Sequence, residues 1–139
     1  MKKVFLTGGS GFLGRNILEG LGRKYQIIAP THKELNLMDT ETVEGFFKKH
    51  KHFYCVLHCA GAGGTQGTQT AENFYKTLKI FFNIERNKRY FNKLITIGSG
   101  AEYGKDLPIK KVKEIEFGKR LPQDYYGFAK YIIGKYIEK

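Results

Sequence analysis

No stretch of this sequence approaches the roughly 20 consecutive apolar residues that a membrane-spanning helix needs. The apolar segment after Met1-Lys2-Lys3 breaks at Thr7, too soon for the core of a secretion signal. Internal repeats and low-complexity tracts are absent as well, which excludes solenoids and repeat arrays. Cysteine is scarce, with Cys55 and Cys59 the only two. Four positions apart in an extended strand, they face the same way and are too distant to bridge. They read as small buried hydrophobes in a reducing compartment, which places the chain in the cytoplasm. His58 beside Cys59 raises metal binding, but two adjacent residues without further spaced ligands make no site, and no metal is expected. Acidic residues are few too, 13 against 24 basic ones, for a net charge of +11.

What is present suits one domain. The 139 residues allow a core that buries roughly two-thirds of the unfolded chain's surface. A content of 41% hydrophobic and 27% charged residues describes a soluble globular protein. Lys3-Val4-Phe5-Leu6 reads as a buried strand that runs straight into glycines, and Phe12, Leu13, Ile17, Leu18 and Leu21 then recur at helical spacing. Tyr25–Ala29 is a second strand ended by Pro30, and a helix starts near Thr40 with Thr40 or Asp39 as its N-cap. Residues 53–58 form a further strand, and Gly61–Thr65 a flexible loop. Helical spacing of Phe74, Leu78, Phe81, Phe82 and Ile84 marks a helix over residues 71–89. Lys93–Ile97 is the next strand, and a last helix spans about residues 123–138. Such alternation argues for an α/β fold, a Rossmann-type parallel sheet with helices on both faces.

Strand, glycine turn and helix come at the N-terminus in the order a dinucleotide site requires. Gly8, Gly11 and Gly14 would let the chain turn sharply, approach a pyrophosphate and pack helix against strand. The helix N-terminus then offers N–H groups to the phosphates. The turn residues Gly8, Ser10, Gly11, Phe12, Leu13 and Gly14 are therefore the candidate cofactor-binding set. In parallel sheets ligands bind at the carboxyl ends of the strands, which gathers this turn, the segment from Ala60 to Gly64 and Gly98-Ser99-Gly100 at one edge. Near the end of the chain, Tyr126 and Lys130 stand at i and i+4, on one face of the last helix. That spacing selects Tyr126 over its neighbour Tyr125.

The set Thr7-Gly8-x-x-Gly11-Phe12-x-Gly14, His58-Cys59-Ala60-Gly61, Ser99 four residues before Tyr103-Gly104, and Tyr126-x-x-x-Lys130 resembles the extended short-chain dehydrogenase/reductase family. More narrowly it is similar to the nucleotide-sugar epimerase, dehydratase and reductase branch. The resemblance implies that Tyr126 is a general acid or base, that Lys130 favours its phenolate, and that Ser99 hydrogen-bonds the same substrate oxygen. It implies a hydride carried by NAD or NADP, with Cys59, Ala60, Gly61 and Lys130 at the cofactor and Asp39 near the adenine amino group. Thr31–Asp39 and the Gly63-Gly64 pair resemble the reductase members that make deoxysugars. Residues 98–104 are closer to epimerase/dehydratase members of surface-polysaccharide pathways, and Gly100 stands where dehydratases carry an acidic residue. The reaction is therefore expected to be 4-keto-sugar reduction or epimerisation.

No carboxylate follows the second strand before Glu34, where NAD sites usually hold the ribose. His32 and Lys33, with Arg15, suit a 2′-phosphate instead, so NADP is the expected cofactor and NAD the alternative. Only nine residues follow Lys130, so a C-terminal substrate lobe is expected to be missing. The chain would then bind cofactor without turnover and pair with a second copy. Two rival readings remain, a non-catalytic cofactor-binding fragment and a nucleic-acid-binding protein. The basic stretches 86–89 and 110–113 would suit the latter, but the aromatics do not interleave with them.

Overall fold

A computed structural model describes residues 1–62, 70–105, 108 and 110–139. Strands β1 (Lys3–Thr7), β2 (Gln26–Ile28), β3 (Cys55–His58) and β4 (Leu94–Thr96) form one sheet in the order β2-β1-β3-β4. All three neighbouring pairs are parallel, so the carboxyl ends of the strands lie at one edge. The helices are α1 (Phe12–Leu21), α2 (Thr40–His50), α3 (Ala71–Glu85) and α4 (Tyr125–Ile137). Right-handed crossovers put α1 on one face of the sheet and α2 on the other, because β1 to β2 and β2 to β3 step in opposite directions. Among the described residues no helix is long and apolar enough to cross a membrane. Of the expected flexible loop, Gly63-Gly64-Thr65 lie outside the described residues.

The chain divides into two compact units, residues 1–61 with 79–97, and residues 62–78 with 98–139. The first holds the sheet. Phe5 and Val56 point to the face covered by α2 and α3, where they form a core with Leu35, Val43, Phe47, Phe53 and Ile84. Phe5 is the hub, with ring centroids 4.7 Å from Phe46, 5.5 Å from Phe47 and 5.6 Å from Phe53. Alternation along β1 turns the buried Val4 and Leu6 the other way.

Helix α3 stops at Glu85, short of the expected Arg89. The cause is Asn87: its side-chain amide donates to the Asn83 carbonyl at 2.9 Å, while its backbone N–H turns to Ile84 at 3.0 Å. A 3₁₀ turn over Lys88–Tyr90 follows. Strand β2 is also shorter than expected, because only three of its residues find partners on β1. Of the two candidate caps of α2, Asp39 takes the role, accepting the Thr42 N–H at 2.9 Å.

The second unit is built around α4 and a 3₁₀ turn at Gly100–Tyr103. Gly127 permits their contact, since a Cβ there would stand 2.6 Å from the Ala101 carbonyl oxygen. Asp124 caps α4 by accepting the Gly127 N–H at 2.8 Å. Phe74 of α3 stacks on Phe128 with centroids 5.7 Å apart, and Phe117 bridges Tyr103 and Tyr131.

Candidate functional site

The glycine turn belongs to the first unit. Gly8 has φ +71°, a conformation that L side chains rarely adopt, and a Cβ there would meet the Ala60 nitrogen at 2.9 Å. Gly14 is the tighter constraint: a Cβ would fall 2.1 Å from the Gly8 carbonyl oxygen. Helix α1 thus begins pressed against the end of β1, with Gly11 as an N-cap that has no side-chain hydrogen bond. The first N–H groups of a helix have no intrahelical partner. Ser10, Gly11, Phe12 and Leu13 stand exposed around them.

Thr7 joins this turn to the next strand. Its hydroxyl accepts the Ala60 N–H at 3.1 Å and lies 2.8 Å from Nδ1 of His58, both side chains being buried. The segment Cys59-Ala60-Gly61 is therefore held directly beside Gly8. Cys59 is half-buried rather than buried, because β3 ends at His58 and Cys59 lies beyond it. Among the described residues no group of three or more His, Cys, Asp or Glu side chains is placed to hold a metal ion.

After β2 the chain makes a turn in which Glu34 folds back on Thr31, accepting its N–H at 2.7 Å and its hydroxyl at 2.8 Å. These two hydrogen bonds hold the Glu34 carboxyl below its usual pKa. His32 and Lys33 stand exposed at the tip of this turn. Asp39 has its carboxylate engaged in capping α2, and the Thr42 N–H keeps its pKa lowered. Beside these residues, an open cleft of about 590 Å³ runs between the end of β2 and α2. It is lined in part by Pro30, Glu34, Phe46 and Lys49, and by none of the glycine-turn residues.

Ser99, Tyr126 and Lys130 all lie in the second unit. Ser99 caps the Gly100–Tyr103 turn, its hydroxyl oxygen accepting the Ala101 N–H at 3.2 Å. That leaves the hydroxyl proton to donate elsewhere. Tyr126 and Lys130 are half-buried on α4, with the Lys130 ammonium 6.0 Å from the Tyr126 ring centroid. A second cation, Lys105, stands 5.4 Å from the same ring. Tyr125 is half exposed and turned toward Phe74, with centroids 6.2 Å apart. The i, i+4 spacing thus separates the two tyrosines as the helix requires.

Sequence reasoning passed over Glu102. Its carboxylate accepts the Ser99 N–H at 2.5 Å, and the signal for it was the Ser99-x-x-Glu102 spacing of a capping box. Burial pushes its pKa up, against the pull of the Ser99 N–H and the Lys130 charge.

The parallel sheet thus carries the glycine turn in the first unit, and the Ser, Tyr and Lys set lies in the second. Residues 4–139 match the NAD dependent epimerase/dehydratase family, and the chain belongs to it. Among its relatives, the GDP-L-colitose synthase of Yersinia pseudotuberculosis is 31% identical over 135 residues, covering 91% of this chain and 43% of the relative. The GDP-L-fucose synthase of Azorhizobium caulinodans is 28% identical, over 99% of this chain and 47% of the relative. The chain therefore spans about half the length of the curated relatives it matches. Among solved structures, a GDP-mannoheptose C4 reductase from Campylobacter jejuni with NADP bound superposes with a TM-score of 0.81 at 26% identity. It covers 99% of this chain and 45% of its own.

Proposed function

We propose that the chain is the cofactor-binding part of an NADP-dependent reductase or epimerase of nucleotide-linked 4-keto sugars. The first unit would supply the dinucleotide site, and the second the proton-transfer set. The observation that carries this reading is the space at Gly8 and Gly14, where backbone meets backbone so closely that no side chain fits. Such a cradle suits a pyrophosphate at the start of α1. The residues to hold the dinucleotide are Gly8, Ser10, Gly11, Phe12, Leu13 and Gly14, with Cys59, Ala60 and Gly61 beside them and Lys130 on α4. Asp39 is proposed near the adenine, with its cap of α2 fixing its position.

Preference for NADP follows from the turn after β2. Its carboxylate, Glu34, is occupied by Thr31, whereas His32 and Lys33 are exposed and able to meet a 2′-phosphate. The relatives' names support a GDP-linked sugar as substrate. When bound, the nicotinamide supplies hydride transfer. Tyr126 gives or takes the proton at the substrate oxygen, Lys130 favours its phenolate, and the Ser99 hydroxyl donates to the same oxygen as charge develops.

Fluorescence titration should show tighter binding of NADPH than NADH, and Gly14→Ala should remove binding of both. Equal or tighter NADH binding would overturn the cofactor preference. In a turnover assay of an extended, active form of the protein on GDP-linked 4-keto sugars, Tyr126→Phe should abolish activity with cofactor affinity nearly unchanged, and Tyr125→Phe should be mild. A reversed pattern would sink the assignment of Tyr126. The net charge of +11 keeps nucleic-acid binding as the outcome to check by a salt-sensitive mobility shift.

A further inference from the structure

We propose that Glu102 is a positioning residue that ties the Ser99 backbone to the face of α4 carrying Lys130. The proposal rests on reading Ser99, Tyr126 and Lys130 as the reacting set. Its geometry comes from both carboxylate oxygens. Oε1 accepts the Ser99 N–H at 2.5 Å and fills the space beside Gly98, where a Cβ would come within 2.8 Å of it. Oε2 faces Gly134, where a Cβ would stand 3.4 Å away. Gly134 is one helical turn beyond Lys130, so the carboxylate occupies the groove that a side chain at 134 would fill. The Phe117 ring covers the same spot, with Cζ 2.7 Å from that Cβ position.

The arrangement places a carboxyl group on the helix face of the Tyr126 and Lys130 pair. Opposite charge nearby favours the ionised form, like charge disfavours it. Lys130 helps Glu102 ionise against its burial. By the same coupling Glu102 offsets part of the positive field that Lys130 sets at Tyr126. Among the described residues, charged groups near these side chains include Lys105 over the Tyr126 ring, Asp124 at the start of α4, and Lys135. The Lys135 ammonium stands 4.8 Å from the Phe117 centroid and 2.8 Å from a Glu138 carboxylate oxygen. Glu102 thus holds Ser99 in place and tempers the charge at Tyr126 with one group.

The test is a titration of the Tyr126 phenol by NMR of tyrosine labelled with ¹³C at Cζ, with its resonance identified through Tyr126→Phe. Glu102→Gln keeps an oxygen for the Ser99 N–H but removes the charge. It should lower the Tyr126 midpoint by about half a pH unit or more while Ser99 amide exchange stays slow. Glu102→Ala should lower the midpoint and also speed exchange at Ser99. Lys130→Ala should raise the midpoint. A Tyr126 midpoint unchanged in both Glu102 variants would overturn the proposal, even if both lose thermal stability, because a merely structural carboxylate would not move it. The functional reading is tested separately: a chain that shows the Gln shift but binds no dinucleotide keeps this role for Glu102 and loses that reading.

Discussion

In the first unit the candidate cofactor turn is shaped by missing side chains over an aromatic core, whereas in the second the candidate reacting groups are held by polar side chains that bond the backbone. Gly8 and Gly14 leave no room for a methyl group, and Phe5, Phe47 and Phe53 beneath the sheet are wholly buried. Ser99, Glu102 and Asp124 instead make their contacts through short side chains to N–H groups. The aromatics of the second unit stand more open, Tyr125 and Phe128 both being exposed. A site built from missing atoms fails abruptly when an atom is added. A site built from caps weakens by degrees.

That contrast can be broken by truncating one ring in each unit. Phe5→Ala should cost about 3–5 kcal/mol, as for large buried aromatics, while Phe128→Ala should cost a fraction of that. Chemical denaturation monitored unit by unit, through assigned amides, would show equal losses if the second unit were packed like the first. Smaller still is the cap of α4. Asp124→Ala should cost about 1 kcal/mol and Asp124→Asn much less, with the loss confined to amides of the second unit. Loss of the same size in the first unit would contradict the local character of these caps.

The smallest and sharpest difference is in pH dependence. Asp39 in the first unit has a lowered pKa through its bond to the Thr42 N–H. Its stabilising contribution is present above the unfolded value of about 3.9 and is lost as pH falls through the folded one. Glu102 has a raised pKa through burial. The stability it contributes in its protonated form is fully present below the unfolded value of about 4.3 and is lost as pH rises through the folded one. Comparing Asp39→Asn and Glu102→Gln with the parent chain across the acid range should give difference curves of opposite slope. Parallel curves would mean that the two carboxyl groups share one environment.

How much of this was readable beforehand depends on the range of the interaction. Local sequence pattern placed the four strands and four helices of the described residues, because each is decided by residues a few positions apart. The shared face of Tyr126 and Lys130 on α4 was legible for the same reason, since i, i+4 spacing survives any tertiary setting. The end of α3 was not, because it depends on a buried Asn87 amide competing for a backbone carbonyl. His58 stood out as a weak metal candidate and as the first residue of the His58-Cys59-Ala60-Gly61 set. One hydrogen-bond partner of its ring, Thr7, is 51 positions away, and nothing local announces a pairing that the sheet register creates. Glu102 carried a local signature, but its approach to Gly134 depends on α4 packing across the 3₁₀ turn.

The hydrogen-bonded pair of Thr7 and His58 has a practical consequence. The imidazole sits behind the glycine turn, linked through one hydroxyl to the Ala60 amide beside Gly8. Any ligand that shifts that amide must change the magnetic surroundings of the ring nitrogens. A chain grown with ¹⁵N-histidine would therefore carry its own occupancy gauge, the pair of ring-nitrogen resonances of its buried His58, which registers the arrival of a dinucleotide without dye, tag or turnover.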